Sequence, residues 1–352
     1  MTCLPFKGPD PAPDKNHSGH PRFTGLHLIY SCVIVAGLLA FSSLSAGQSR
    51  ALAAKAQLET GTPQSGEIDG LAQAKSLLAK GSIKEADSVV REYLRHNSKS
   101  AQGHFLLGYI LFKEQKPADS LAEFTEGAKF HDPGAFDLKV VALDYVLLGD
   151  YVDADHWLVR SLQSDPNDSE AWYYLGRTKY NENMFPEAIK AFEQCLKLDH
   201  RNVKAEDNLG LSYQGLGRTD EAFAAYRKAI VWQQDILNKN PGPLINLGGL
   251  LIEQNRVEEA LPYLKQAVQI SPAESRAHEQ LGKAYTRLED LQNAQDQLET
   301  AAALAPDSAS LHFMLGQVYR KRGMIDKARL ELDRVTTLKQ KSNPLILPTP
   351  RD

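Results

Sequence analysis

His278 and Glu279 open the order His-Glu-x-x-His, which on one helix face supplies two zinc ligands and a general base, but the place of the second histidine is held by Gly282. A zinc protease centre is therefore incomplete there. The chain carries no Gly-x-x-x-x-Gly-Lys run to cradle phosphates, and no Gly-x-Ser-x-Gly turn to expose a nucleophile. Gly210, Gly215 and Gly217 follow a longer periodic pattern rather than a dinucleotide loop. His104, His278 and His312 stand at equivalent places of that pattern, which points to half-buried packing rather than ligation. Cys195 falls in a column that Ala229, Ala267 and Ala301 occupy elsewhere, so it reads as a small buried filler. The cluster Arg320-Lys-Arg322 reads as the solvated end of a helix. No catalytic residue, metal site, cofactor or small-molecule substrate is expected.

The elements that carry these residues begin after a distinct N-terminal stretch. Residues 1–22 are polar and broken by Pro5, Pro11, Pro13 and Pro21, a composition that predicts disorder. Leu26–Phe41 has no Asp, Glu, Lys or Arg. As a helix it measures about 24 Å at about 1.5 Å per residue, short of a hydrocarbon core of about 30 Å. Extension from Phe23 to Leu44 makes up the difference. Residues 23–46 are expected to be a retained transmembrane anchor or, given Ser42, Ser43, Ser45, Ala46 and Gly47, a cleaved signal peptide. Cations ahead of the run favour a cytoplasmic N-terminus, which puts the rest of the chain outside the cytoplasm: membrane-anchored, or periplasmic or secreted after cleavage. Residues 47–66 end in Gly61, Pro63, Ser65 and Gly66 and read as a linker. A net charge of -4 lacks the basic excess that a phosphate backbone demands, so nucleic acid is an unsuitable partner. The three cysteines, Cys3, Cys32 and Cys195, build no disulfide framework.

From residue 67 one pattern recurs. Ala86, Ser120, Ala154, Ala188, Ala222, Ala260, Ala294 and Ala328 are 34 residues apart, except for a step of 38 between Ala222 and Ala260. The four extra residues fall around Asp235–Lys239, before Pro241-Gly-Pro243. A second column runs through Gly108, Ala142, Gly176, Gly210, Gly248, Gly282 and Gly316. Glycine inside a helix costs about 1 kcal/mol against alanine, so its recurrence requires a close approach of helices. Each unit reads as two amphipathic helices joined by a turn such as Leu148-Gly149-Asp150, with Phe124, Leu158, Phe192, Tyr226, Leu264, Leu298 and Leu332 filling the space beyond the small residues.

Trp172-Tyr-Tyr-Leu-Gly176, then Phe185-Pro-Glu-Ala188, Phe192 and Leu196-Lys-Leu-Asp199, resembles the tetratricopeptide repeat family, and Pro166, Pro272 and Pro306 match its closing proline. The resemblance covers about 67–342, with units near 67–100, 101–134, 135–168, 169–202, 203–240, 241–274, 275–308 and 309–342. It implies an all-α, right-handed superhelical solenoid of about eight repeats. The first unit, with Gln73 and Ala74 where others have Leu-Gly, is a divergent cap or a marginal repeat. The tail 343–352, rich in proline, either covers the end of the array or is a free peptide.

The resemblance further implies a concave wall of first helices that binds proteins or peptides. Its positions here are Phe105, Tyr109 and Phe112, then Phe136, Leu143 and Val146, then Tyr173, Arg177 and Tyr180, and later Arg276, Lys283, Arg287 and Arg320. The expected groove changes from aromatic to basic, fitting an apolar segment at one end and acidic groups at the other. Packing between hairpins is the competing use of the aromatics. The lysine and asparagine clamp of chaperone-binding members is absent at Tyr173, Tyr174 and Asp207, and Asn208 and Asn246 resemble two rungs of the asparagine ladder of O-linked N-acetylglucosamine transferases. The function expected is a non-catalytic, membrane-anchored or exported scaffold. The alternative is a presenting arm for a separate envelope enzyme such as a glycosyltransferase or a secretion machine.

Overall fold

Spacing of apolar positions at three and four residues forms helices throughout a computed structural model that describes residues 65–342, and side chains within 70–341. The expected disordered segment 1–22, the anchor or signal 23–46, nearly all of the linker 47–66 and the tail 343–352 lie outside the described residues. Among the described residues there are sixteen helices and no strand, and no helix is long and apolar enough to cross a membrane.

The helices follow in pairs: α1 (Ser65–Ala79) and α2 (Ile83–His96), α3 (Ala101–Lys113) and α4 (Pro117–Ala128), α5 (Ala135–Leu148) and α6 (Tyr151–Ser164), α7 (Ser169–Asn181) and α8 (Phe185–Leu198). Then come α9 (Val203–Gly215) and α10 (Thr219–Trp232), α11 (Gly242–Glu253) and α12 (Val257–Ile270), α13 (Ser275–Arg287) and α14 (Leu291–Leu304), α15 (Ala309–Lys321) and α16 (Ile325–Ser342). Helix α1 starts at Ser65, inside the stretch expected as linker, and its hairpin is built like the others. Contacts divide the chain into two units, the first ending at Trp157 and the second beginning at Leu158.

One left-handed residue closes the first helix of every pair: Gly81, Gln115, Gly149, Asn183, Gly217, Asn255, Glu289 and Gly323. The next amide reaches five residues back, as in Lys116 N to Leu111 O at 3.0 Å and Arg218 N to Tyr213 O at 2.9 Å, so the last carbonyls are satisfied and the chain reverses. Side-chain caps open α3, α7 and α9: Ser100, Asp168 and Asn202 accept from Gly103, Ala171 and Ala205 amides.

The two small-residue columns meet their purpose inside the hairpins. Ala86, Ala154, Ala188, Ala222, Ala260 and Ala294 have no exposed surface. A Cβ added at Gly108, Gly176, Gly210, Gly248 or Gly282 would lie 2.8 Å or less from the large side chain sixteen positions later: Phe124, Phe192, Tyr226, Leu264 and Leu298. In the first hairpin Ala74 and Val90, both fully buried, take these two roles.

Polar ties hold the pairs as well. His104 joins the Ser98 carbonyl (3.0 Å) to Glu123 (2.7 Å), His278 joins the Pro272 carbonyl (3.0 Å) to Gln297 (2.8 Å), and His312 joins the Pro306 carbonyl (2.8 Å) to Glu331 (2.5 Å). These rings are buried, as a packing role requires, and each also ties a first helix to the loop before it and the helix after it. Ser120, the one hydroxyl in the alanine column, lies 2.8 Å from the Gly108 carbonyl and 2.6 Å from Asp144 Oδ2.

Candidate functional site

In the first unit α3 and α5 place aromatic side chains side by side. Tyr109 and Phe112 are half-buried with ring centres 6.4 Å apart, and Phe136 stands edge-on to Tyr109 at 5.2 Å with half of its surface exposed. Lys113 Nζ lies 5.4 Å from the Tyr109 ring and Lys139 Nζ 5.7 Å from the Phe136 ring. Val146 is half-buried on the same helix as Phe136. Phe105 and Leu143 are not surface residues. Phe105 stacks on Phe124 at 5.9 Å, and a Cβ at Gly127 would lie 2.6 Å from its ring. Leu143 sits in the run Leu138–Tyr145, where α5 is buried on all sides. Those two positions belong to packing.

In the second unit the first helices α7, α9, α11 and α13 touch in succession, so their residues share a face. On α7, Tyr173 and Tyr180 are half-buried and Arg177 is exposed, with its guanidinium 5.9 Å from the Tyr173 ring centre. Burial pushes both phenols up, and Arg177 opposes this at Tyr173 as Arg276 does at Tyr180. Across the next three first helices runs a polar chain. Asp207 on α9 accepts from Asn246 Nδ2 on α11 at 2.9 Å, and Asn246 Oδ1 accepts from Arg276 Nη2 on α13 at 3.0 Å. Asp207 and Asn246 are buried, whereas Arg276 is exposed. Burial pushes the Asp207 carboxyl up to about 6 against the opposing pull of Asn246 and Arg276. Gly242 makes room for it, since a Cβ there would lie 2.8 Å from Asp207 Oδ2.

The remaining basic positions differ in availability. Lys283 pairs with Glu279 at 2.6 Å, Arg320 donates to Gln317 at 2.6 Å, and Arg287 is exposed. Sequence reasoning named Asn246 and Arg276 separately and missed the chain that connects them to Asp207. Its separations of 39 and 30 residues depart from the 34-residue period because of the insertion before α11 and the reach of the arginine. Among the described residues no group of three or more His, Cys, Asp and Glu side chains comes together as a metal site. The Cys195 thiol is buried, and burial pushes it up to about 12, far from a thiolate nucleophile.

Tetratricopeptide repeat models match residues 71–135, 169–202, 202–273 and 279–343. Among curated proteins, the chain is 28% identical over 123 residues to the PEX5-related protein of Homo sapiens, covering 35% of this chain and 17% of that one. It is 29% identical over 139 residues to the protein O-mannosyl-transferase TMTC3 of Homo sapiens, covering 36% and 15%. The chain thus spans less than a fifth of the length of these relatives. A tetratricopeptide repeat protein from Parabacteroides merdae shares the fold with a TM-score of 0.59 at 16% identity, covering 72% of this chain and 98% of its own.

Proposed function

The chain belongs to the tetratricopeptide repeat family, and from that premise we propose that it is a non-catalytic scaffold that captures segments of other proteins on the outward faces of its first helices. The observation that supports this reading is aromatic area that the hairpins do not use. Phe136 keeps half of its surface in solvent beside Tyr109 and Phe112, and the Asp207–Asn246–Arg276 chain ends in an exposed guanidinium. Three or four anchors worth about 1.5–3 kcal/mol each suffice for micromolar capture once association costs are deducted. The Tyr109–Phe136 patch of the first unit suits apolar segments, and Arg177, Arg276 and Arg287 of the second unit suit acidic ones.

A photocrosslinking amino acid at Tyr109 or Tyr180 tests it in living cells. The expected result is a covalent adduct with one or a few proteins, and the adduct at Tyr109 should be lost when Phe112 and Phe136 are changed together to serine in a chain of unchanged helicity. An adduct that survives those changes removes the patch from the binding surface. Phe105 is left out of the test because its loss opens the core.

The run Leu26–Phe41 is proposed as the element that anchors the repeats to a membrane or delivers them across it, leaving them outside the cytoplasm. Protease added to intact cells after the outer envelope is opened should digest the repeats; full protection by the inner membrane contradicts this placement. The similarity to an O-mannosyl-transferase supports a second reading, in which the array presents partners to a separate enzyme. Stable co-purification of such an enzyme with the full chain would favour it.

A further inference from the structure

Resting on the capture reading above, we infer that Arg276 seats a carboxylate of the bound segment, and that Asp207, coupled to it through Asn246, is an internal rival charge that a proton silences. Arg276 is exposed, and the partner of its Nη2 is a neutral amide oxygen at 3.0 Å. Lys283, about two turns further along the same face of α13, is by contrast already paired with Glu279 at 2.6 Å. A planar guanidinium with donors to spare matches the two oxygens of a carboxylate.

Asp207 is placed to weaken that match. It is buried, its Oδ1 holds the Asn246 amide at 2.9 Å, and that amide holds Arg276, so the aspartate orients the guanidinium and offsets its charge together. The charged and titratable neighbours acting with it are Arg276 from α13, Tyr173 from α7 and Tyr226 from α10, while α11 contributes the uncharged Asn246. Only the arginine is a cation. When Asp207 takes a proton, its carbonyl oxygen still accepts from Asn246, so the chain of bonds keeps its geometry while the negative charge is gone. Arg276 then meets an incoming carboxylate with its field uncancelled. By linkage the reverse also holds, and binding of a carboxylate draws a proton onto Asp207. Asp207 titrates at about 6, which sets the change between neutral and mildly acid conditions.

The test uses the full chain, a fluorescein-labelled peptide alternating leucine and glutamate, and its leucine-glutamine twin, with anisotropy read at about pH 7.5 and about pH 5.5, where a free glutamate near 4.3 stays charged. The glutamate peptide should bind about tenfold tighter at the lower pH, a coupling of ordinary size between neighbouring groups, and the glutamine twin should not respond. Asp207→Asn keeps an acceptor for Asn246 and should bind the glutamate peptide tightly at both values. Arg276→Gln should bind the two peptides alike, and Arg276→Lys should restore the preference in part. Circular dichroism checks that each variant is folded. A glutamate preference without pH response in the parent chain, or a pH response that persists in Asp207→Asn, overturns the proposal and leaves the capture reading standing. If the folded parent chain binds neither peptide, the capture reading itself falls and takes this proposal with it.

Discussion

Asp144 has no exposed surface, and its Oδ1 has no hydrogen-bond partner. Ser120 has one hydroxyl hydrogen and two oxygens near it, the Gly108 carbonyl and Asp144 Oδ2. A carbonyl can only accept, so both contacts are satisfied when Ser120 donates to Gly108 and a protonated Asp144 donates to Ser120. Burial, opposed only by Ser120, pushes this carboxyl from 3.8 up to about 8. The folded chain therefore holds a proton that the unfolded chain has released across that window. Stability from this group is complete below about pH 4, declines as pH rises towards the folded value near 8, and is level beyond it. At 1.36 kcal/mol per unit the full decline is on the order of 5 kcal/mol. Asp144→Asn puts an amide N–H where the proton was. Its urea midpoint should be nearly constant from mildly acid to mildly alkaline pH, while that of the parent chain falls; parallel curves would show that Asp144 is not the group responsible. Sequence alone did not reveal Asp144, because a carboxylate in a helical pattern reads as solvent-facing until its surroundings are known. Cys195 and the three histidines were legible by contrast, since a repeat supplies equivalent positions that define what a site can hold.

Helix pairs are where the glycine column acts, and the distances separate two kinds of glycine. A Cβ at Gly210 would lie 2.5 Å from Tyr226, whose ring is fully buried and whose hydroxyl is held by Gln214 at 2.8 Å. The ring has nowhere to go, so Gly210→Ala should cost about 1–3 kcal/mol in overpacking. At Gly316 the nearest atoms would be 3.4 Å away, an ordinary contact, and Gly316→Ala should stabilise the chain by up to about 1 kcal/mol through helix propensity. Equilibrium urea unfolding of the two variants checks both signs, and equal effects would refute the packing account. At this scale most of the fold was readable. Each member of the alanine column, from Ala86 to Ala328, stands fourth in a second helix, and Asp235–Lys239 lie in the loop between α10 and α11. The start of α1 was misplaced because Ser65 and Gly66 are weak helix formers whose local preference was overridden by the helix that follows.

Over the whole molecule the repeat made the candidate face only partly legible. Family positions marked Tyr109, Phe136, Tyr173 and Arg276 as surface and also marked Phe105 and Leu143, which the hairpins bury. A period predicts which residues are equivalent, but how far each is covered depends on the size of its neighbours, as Phe124 and Gly127 decide for Phe105. The same linear construction governs how the protein should come apart. Within the second unit the helices from α7 to α16 touch their neighbours in order, and the last two pairs share one cluster that includes Leu298 on α14 and Leu311, Leu315 and Val318 on α15. Each pair is therefore stabilised by adjacent pairs rather than by a common centre. Leu311→Asp puts an unpaired carboxylate into that cluster at a cost of several kcal/mol, or else forces the site to open. Native-state hydrogen exchange should then show α15 and α16 losing protection first and most, α13 and α14 losing part of it, and α7 to α10 keeping theirs. A uniform loss in every helix would mean that the pairs unfold as one cooperative body, and the additive picture of the array would have to be abandoned.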